Sequence, residues 1–202
     1  MRCQTTCFTG GDTYMLSELG KLELPLLEAI NSAISCPFLD AVFKIITFTG
    51  NAGIIWIICA ALMLFFKKSR KCGIALSVAL ILSLVLNNLA LKNIIARLRP
   101  FQLDESISLI IPPPSEYSFP SGHTLSSFAS AFVIWFYHGH RFGIIATVWA
   151  ALIGFSRIYL RVHFISDVIG GAIIGIGIGF LAVIIVKHLY IYHNDRCKKH
   201  LE

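Results

Sequence analysis

Apolar residues fill this chain almost without interruption from Ile45 onward, and the charged residues collect in the gaps between runs. No Asp, Glu, Lys or Arg occurs between Ile45 and Phe66. Thr49-Gly50-Asn51-Ala52-Gly53 breaks that run, so a membrane span is predicted from about Ala52 to the Lys67-Lys68-Ser69-Arg70-Lys71 cluster. The 20 uncharged residues from Cys72 to Leu91 match the length a bilayer core requires. The helical pattern then continues to Arg99, where Pro100 stops it. After a loop over residues 101–119, further spans are predicted at Thr124–Tyr137, Phe142–Ser156 and Val168–Val186. In the last, Gly171, Gly175 and Gly179 recur at four-residue spacing, which suits close helix packing rather than a nucleotide-binding loop.

The N-terminal quarter reads differently. Residues 1–24 form a polar segment without a span. Around 25–48, Leu24 with Leu26, Leu27, Ile30 and Ile34 makes an apolar helical stripe interrupted by Glu28, Asn31, Pro37, Asp40 and Lys44. That pattern predicts interfacial helices, the second beginning at Pro37; a crossing here would add a sixth span. Without the pattern of a secretory signal, the first span is expected to act as the insertion signal. Residues 201–202 read as a cloning scar. The expected fold is all-α: a polytopic membrane helix bundle of five transmembrane helices, or six, plus N-terminal interfacial helices, with residues 25–200 as a single membrane-embedded domain.

Composition supports this. Of 202 residues 56% are hydrophobic and 14% charged, against about 25% charged in soluble domains. The net charge of +6 gathers at 67–71, at His138 to Arg141 and in the tail, and alternating spans put all three on one side. The positive-inside rule makes that side cytoplasmic. The charge therefore belongs to membrane topology, and no nucleic-acid groove is expected. His138, His140, His188, His193 and His200 share the cytoplasmic side and are read as interface residues. The six cysteines form no metal-like cluster; Cys59 is expected to pack as a small hydrophobe, and Cys3 with Cys7 is the one pair worth testing as a disulfide.

The opposite side gathers Lys92 to Pro100, Pro120-Ser121-Gly122-His123 and Arg157 to Asp167. Lys92 and Arg99, seven apart, fall on one helical face; His163 and Asp167, four apart, fall on another. The turn at Ser121-Gly122 opens a helix, so its N–H groups suit an anion. Cations, a helix N-terminus and two histidines with one aspartate fit a phosphate. Asp167 would orient His163 to attack phosphorus, His123 would protonate the leaving oxygen, and Lys92, Arg99, Arg157, Ser121 and Gly122 would hold the phosphate. No carboxylate cluster suits a metal, so no cofactor is expected. Zinc on His123 and His163 is the competing chemistry, and it lacks a third ligand. Arg97 and Arg161 have the wrong helical phase and are read as headgroup or solvated charges. Asn88 would steady Lys92 from one turn away, and Tyr117 and Phe119 would line the substrate's approach.

Lys92 with Arg99-Pro100, Pro120-Ser121-Gly122-His123, and Ser156-Arg157 with His163 and Asp167 resemble the three-part signature of the type 2 phosphatidic acid phosphatase family. The resemblance covers residues 92–167. It implies His163 as nucleophile, Asp167 as its partner, His123 as general acid, and the phosphate pocket named above. It also implies a helical membrane fold, independence of metals and a site at the outer membrane face. The expected function is hydrolysis of a phosphomonoester or terminal diphosphate of a membrane lipid through a phosphohistidine, in a bacterial plasma membrane, with no obligatory protein partner. The alternatives are a non-catalytic phosphate-lipid binder or transporter, or an enzyme acting on a soluble phosphate ester.

Overall fold

The computed structural model describes residues 10–199, with side chains described for residues 18–87 and 90–192. Cys3, Cys7, His200 and residues 201–202 lie outside the described residues, as do the side chains of Asn88 and His193. Every described element is helical. In chain order they are α1 (Gly10–Ile34), α2 (Pro37–Gly50), a 3-10 turn (Asn51–Gly53), α3 (Ile54–Phe65) and α4 (Arg70–Val85). A π-helical turn (Leu86–Leu91) follows, then α5 (Lys92–Ile95), α6 (Pro100–Leu103), α7 (Gly122–Tyr159) and α8 (Ile165–Lys199).

Among the described residues, three runs are long and apolar enough to cross a membrane: Pro37–Phe65, Gly122–Tyr159 and Ile165–Tyr192. The first starts fifteen residues before Ala52, where the sequence pattern placed it. The reason is that Thr49 to Gly53 is a kink rather than a helix end: Ala52 at φ 50° and Gly53 at φ 70° turn the backbone, and α3 resumes at once. The second run is a helical hairpin. Gly139 takes φ 74° and ψ −169°, a conformation that suits glycine, and the chain folds back so that a Cβ at Gly154 would lie 3.4 Å from Thr124. The uncharged stretch 72–91 is helical throughout, ending in the π-helical turn. α1 runs without a break across residue 24, joining the polar segment to the apolar stripe.

Tight backbone contact holds the bundle together, as expected where lipid removes much of the hydrophobic drive for helix association. A Cβ on Gly171, Gly175 or Gly179 would stand 2.9, 2.3 or 2.6 Å from the carbonyl oxygens of Ser121, Leu125 and Ala129. The four-residue glycine repeat thus lays α8 directly on the first half of α7. Gly73 does the same for α4 against Leu64 of α3. Trp56 seals the centre, donating its indole N–H to Ser127 Oγ at 2.9 Å. α2 packs on the second half of α7 through Phe43, whose ring lies 4.5 Å from that of Tyr159, and Tyr159 donates to Asp40. α1 closes the end where Tyr159 lies: Leu27 is buried, Asn31 donates to the Tyr159 carbonyl, and Gly20 sits against Leu103 and Phe164.

Candidate active site

The three polar segments meet at that same end. A cavity of about 1370 Å³ is lined there by Lys92, Arg99, Gly122, His123, Arg157 and His163. Its walls continue between α3 and α4 past Ile57, Ala61, Leu64, Leu80, Ile81 and Leu84, so the polar end opens into an apolar trough.

The local geometry differs from the helical reading. The helix ends at Ile95, not at Pro100: Ala96 caps it in the left-handed conformation at φ 47°, and Pro100 begins α6 with Arg99 as its N-cap. Lys92 and Arg99 therefore reach the cavity from either side of a turn rather than from one helical face. His163 likewise precedes α8, and only Asp167 lies in its first turn. The Asp167 carboxylate folds back over the loop, accepting the Phe164 N–H at 2.9 Å.

His163 is 2% exposed. Its Nδ1 lies 3.5 Å from Asp167 Oδ2 and 3.5 Å from Ser118 Oγ, while Ser118 itself donates to Asp167. Its Nε2 is 3.2 Å from Arg99 Nη1. Burial pushes the His163 imidazole down to about 3, against the pull of Asp167, so the ring is neutral at ordinary pH. Arg99 is fixed by three carbonyls: Nε donates to Glu116, Nη1 to Val162 and Nη2 to Tyr117. Burial lowers it to about 10, which leaves it charged.

Arg157, also buried, donates from Nη1 to Thr47 Oγ1 at 2.6 Å, and its Nε has no partner within the described structure. A buried guanidinium with an unfilled donor beside a cavity is suited to an anion. Lys92 pairs with Glu116, whose carboxylate is half exposed and occupies the position an anionic ligand would contest. His123 Nε2 donates to Asn51 Oδ1 at 2.8 Å.

Ser121 departs from its expected place. Its N–H donates to the Asp167 carbonyl at 3.1 Å, its Oγ accepts from Thr124, and it does not line the cavity. It ties the α7 turn to the start of α8, leaving Gly122 at the cavity. Arg97 departs further. Rather than facing headgroups it is 3% exposed, and Nη1 donates to Asp167 Oδ1 at 2.6 Å. The phase argument failed because residues 96–99 are not helical. Arg161 donates to the Ser108 carbonyl within the long loop. Thr47, Asn51, Glu116 and Ser118 carry no motif signal; the glycine-flanked break around Asn51 is the one pattern that could have marked any of them.

No group of three His, Cys, Asp or Glu side chains spaced to hold a metal occurs among the described residues. The residues present fit an anion: three cationic side chains converge where a metal would need anionic donors.

The chain is 37% identical over 129 residues to an undecaprenyl-diphosphatase of Sulfolobus acidocaldarius, covering 64% of this chain and 62% of that one. It is 34% identical over 170 residues to phosphatidylglycerophosphatase B of Bacillus subtilis, covering 76% and 80%. The chain thus spans less than two thirds of the first relative's length. Among solved structures, the PAP2-type phosphatidylglycerolphosphate phosphatase of Bacillus subtilis superposes with a TM-score of 0.63 at 28% identity, covering 85% of this chain and 94% of that one. LpxE of Aquifex aeolicus gives 0.63 at 32% identity, covering 80% and 94%. Residues 73–190 match the PAP2 superfamily, and the chain belongs to that superfamily.

Proposed function

We propose that this protein hydrolyses the phosphomonoester or terminal diphosphate of a membrane lipid through a phosphohistidine, without a metal. The observation that carries the reading is the neutral, buried His163: Nδ1 is held by Asp167 and Ser118, and Nε2 faces the cavity beside Arg99. The names of the two relatives given above, an undecaprenyl-diphosphatase and a phosphatidylglycerophosphatase, support it.

His163 Nε2 attacks phosphorus as the bond to the leaving oxygen breaks, and His123 gives that oxygen a proton. Asp167 and Ser118 stabilise the charged ring that forms. Arg99, Arg157 and Lys92, with the Gly122 N–H, balance charge on the three non-bridging oxygens, a dominant contribution to phosphoryl transfer. Water then attacks the phosphohistidine, His123 takes its proton, and phosphate leaves with His163 restored. Lys92 must exchange Glu116 for the substrate.

The apolar trough past Ile57, Leu64 and Leu80 favours a lipid over a soluble ester, since a tail stays in hydrocarbon while its phosphate meets the cations. Phosphatidic acid, phosphatidylglycerophosphate and undecaprenyl diphosphate all fit that description. The protein crosses a bacterial plasma membrane five times, by Pro37–Phe65, residues 70–91, the two halves of α7, and α8, with the site at the outer face; the basic Lys67 to Lys71 cluster, cytoplasmic by the positive-inside rule, supports that orientation.

Phosphate release by the purified protein from those three lipids tests the proposal. Turnover should persist in EDTA, stop with vanadate, and vanish in a folded His163→Ala variant. Turnover by His163→Ala at the wild-type rate would overturn it and favour a non-covalent role.

A further inference from the structure

The mechanism leaves one buried charge cluster unused. Arg97 donates from Nη1 to Asp167 Oδ1 and to Ser166 Oγ, both at 2.6 Å, and from Nη2 to Glu23 Oε1 at 3.0 Å. Glu23 in turn accepts the Ser166 N–H at 3.0 Å and the Ser166 hydroxyl at 2.6 Å. The Arg97 guanidinium stacks 4.3 Å from the Phe164 ring. Phe164 and Ser166 lie just after His163, where its loop enters α8, and Glu23 comes from α1, far away in sequence. The Arg97 and Asp167 side chains are 2% and 0% exposed, and that of Glu23 is 14% exposed.

Two anions sharing one buried guanidinium set an order of contacts: Glu23, Arg97, Asp167, His163. Asp167 has two oxygens and divides them. Oδ2 serves His163, Ser118 and the Phe164 N–H, while Oδ1 serves Arg97. Rotating the carboxylate to improve one set of contacts breaks the other, so Arg97 fixes the plane in which Oδ2 meets the imidazole. Arg97 has its own freedom removed by Glu23. Gly20, one turn before Glu23, sits against Phe164 with so little space that a Cβ would lie 3.1 Å from the ring.

We infer that Glu23 and Arg97 are positioning residues for the nucleophile, and that α1 completes the active site by clamping the loop of His163 through them. This rests on the proposed function. The N-terminal helix then has a catalytic consequence without reaching the substrate, since none of Glu23, Arg97 and Ser166 lines the cavity.

The test uses the full chain in detergent with dilauroyl phosphatidic acid as probe, reading kcat and KM from phosphate release and, by rapid quench, the rate of phosphohistidine formation. Glu23→Gln and Arg97→Gln should lower kcat and the rate of phosphohistidine formation by about tenfold or more with KM unchanged, as misaligned reacting groups do. Arg97→Lys should recover part of the loss. Lys21→Ala, which removes an exposed ion pair on the same helix, should change nothing. The double variant Glu23→Leu, Arg97→Met replaces the buried charges by apolar groups, an exchange proteins often tolerate in stability. If it stays folded and still loses kcat, positioning is established. Recovery of wild-type kcat in that double variant, wild-type kcat in Arg97→Gln, or loss of folded protein in every variant would assign the cluster to stability and overturn the inference. No phosphate release by the wild-type protein from any lipid phosphate would instead overturn the proposed function.

Discussion

Asn51 Oδ1 accepts the His123 Nε2–H at 2.8 Å, so the one-turn kink in the first membrane run ends on the imidazole that opens α7. The kink has a purpose that an unbroken helix could not serve. An α-helix spends its backbone groups internally and projects side chains at fixed angles, whereas the left-handed residues Ala52 and Gly53 turn Asn51 toward the cavity.

Removing that amide should weaken proton transfer without weakening phosphate binding. Asn51→Ala is expected to lower kcat by about tenfold, a part of what a general acid contributes. The loss should shrink with 4-nitrophenyl phosphate, whose leaving group needs no proton. Equal losses with lipid and aryl substrates would argue against this role for the Asn51 contact.

Thr47 holds Arg157 by the guanidinium's one described hydrogen bond. Thr47→Val keeps the shape and removes the acceptor, at a cost of about 1.5 to 3 kcal/mol for a bond to a charged group. Because Arg157 is assigned to phosphate, kcat/KM should fall about tenfold or more, and vanadate should bind correspondingly less tightly. Unchanged vanadate affinity would detach Arg157 from the anion.

The glycines of α8 should separate by position rather than by type. Gly175→Ala drives a Cβ to 2.3 Å from the Leu125 carbonyl oxygen, and is expected to cost about 1 to 3 kcal/mol through overpacking. Gly177 has nothing within 4 Å, so Gly177→Ala should be neutral or stabilise by about 0.5 to 1 kcal/mol. Thermal unfolding in detergent, followed for both variants, decides; equal midpoints would contradict the close α7–α8 contact.

Burial holds His163 at about 3, with Arg99 and Arg157 pushing the same way and Asp167 opposing. In the proposed mechanism the neutral ring is the attacking form, so acidification from about pH 7 to 5 should leave the nucleophile intact, its unperturbed value being about 6.5. Stability has the same sign. The unfolded chain takes up a proton near 6.5 and the folded one does not, so the contribution present above about 6.5 is lost as pH falls toward 3. Single-turnover phosphorylation by 4-nitrophenyl phosphate should hold its rate over that range. A midpoint near 6.5 would show a solvated ring.

The order of apolar runs, the glycine stripe of α8 and the spacing of Lys92, Arg99, His123, Arg157, His163 and Asp167 were legible in the sequence by itself. Membrane insertion depends on local apolar length, close helix packing on small residues at a helical repeat, and phosphate recognition on a small choice of residue types. What joins those residues is tertiary. Ala96 ends a helix that the sequence carried to Pro100, and that turn moves Arg97 from the lipid to Asp167. Glu23, Thr47, Asn51 and Ser118 meet these residues from separate elements, through hydrogen bonds that no local pattern specifies. A single contact across the bundle leaves no periodicity in the chain, so only the packed structure decides it.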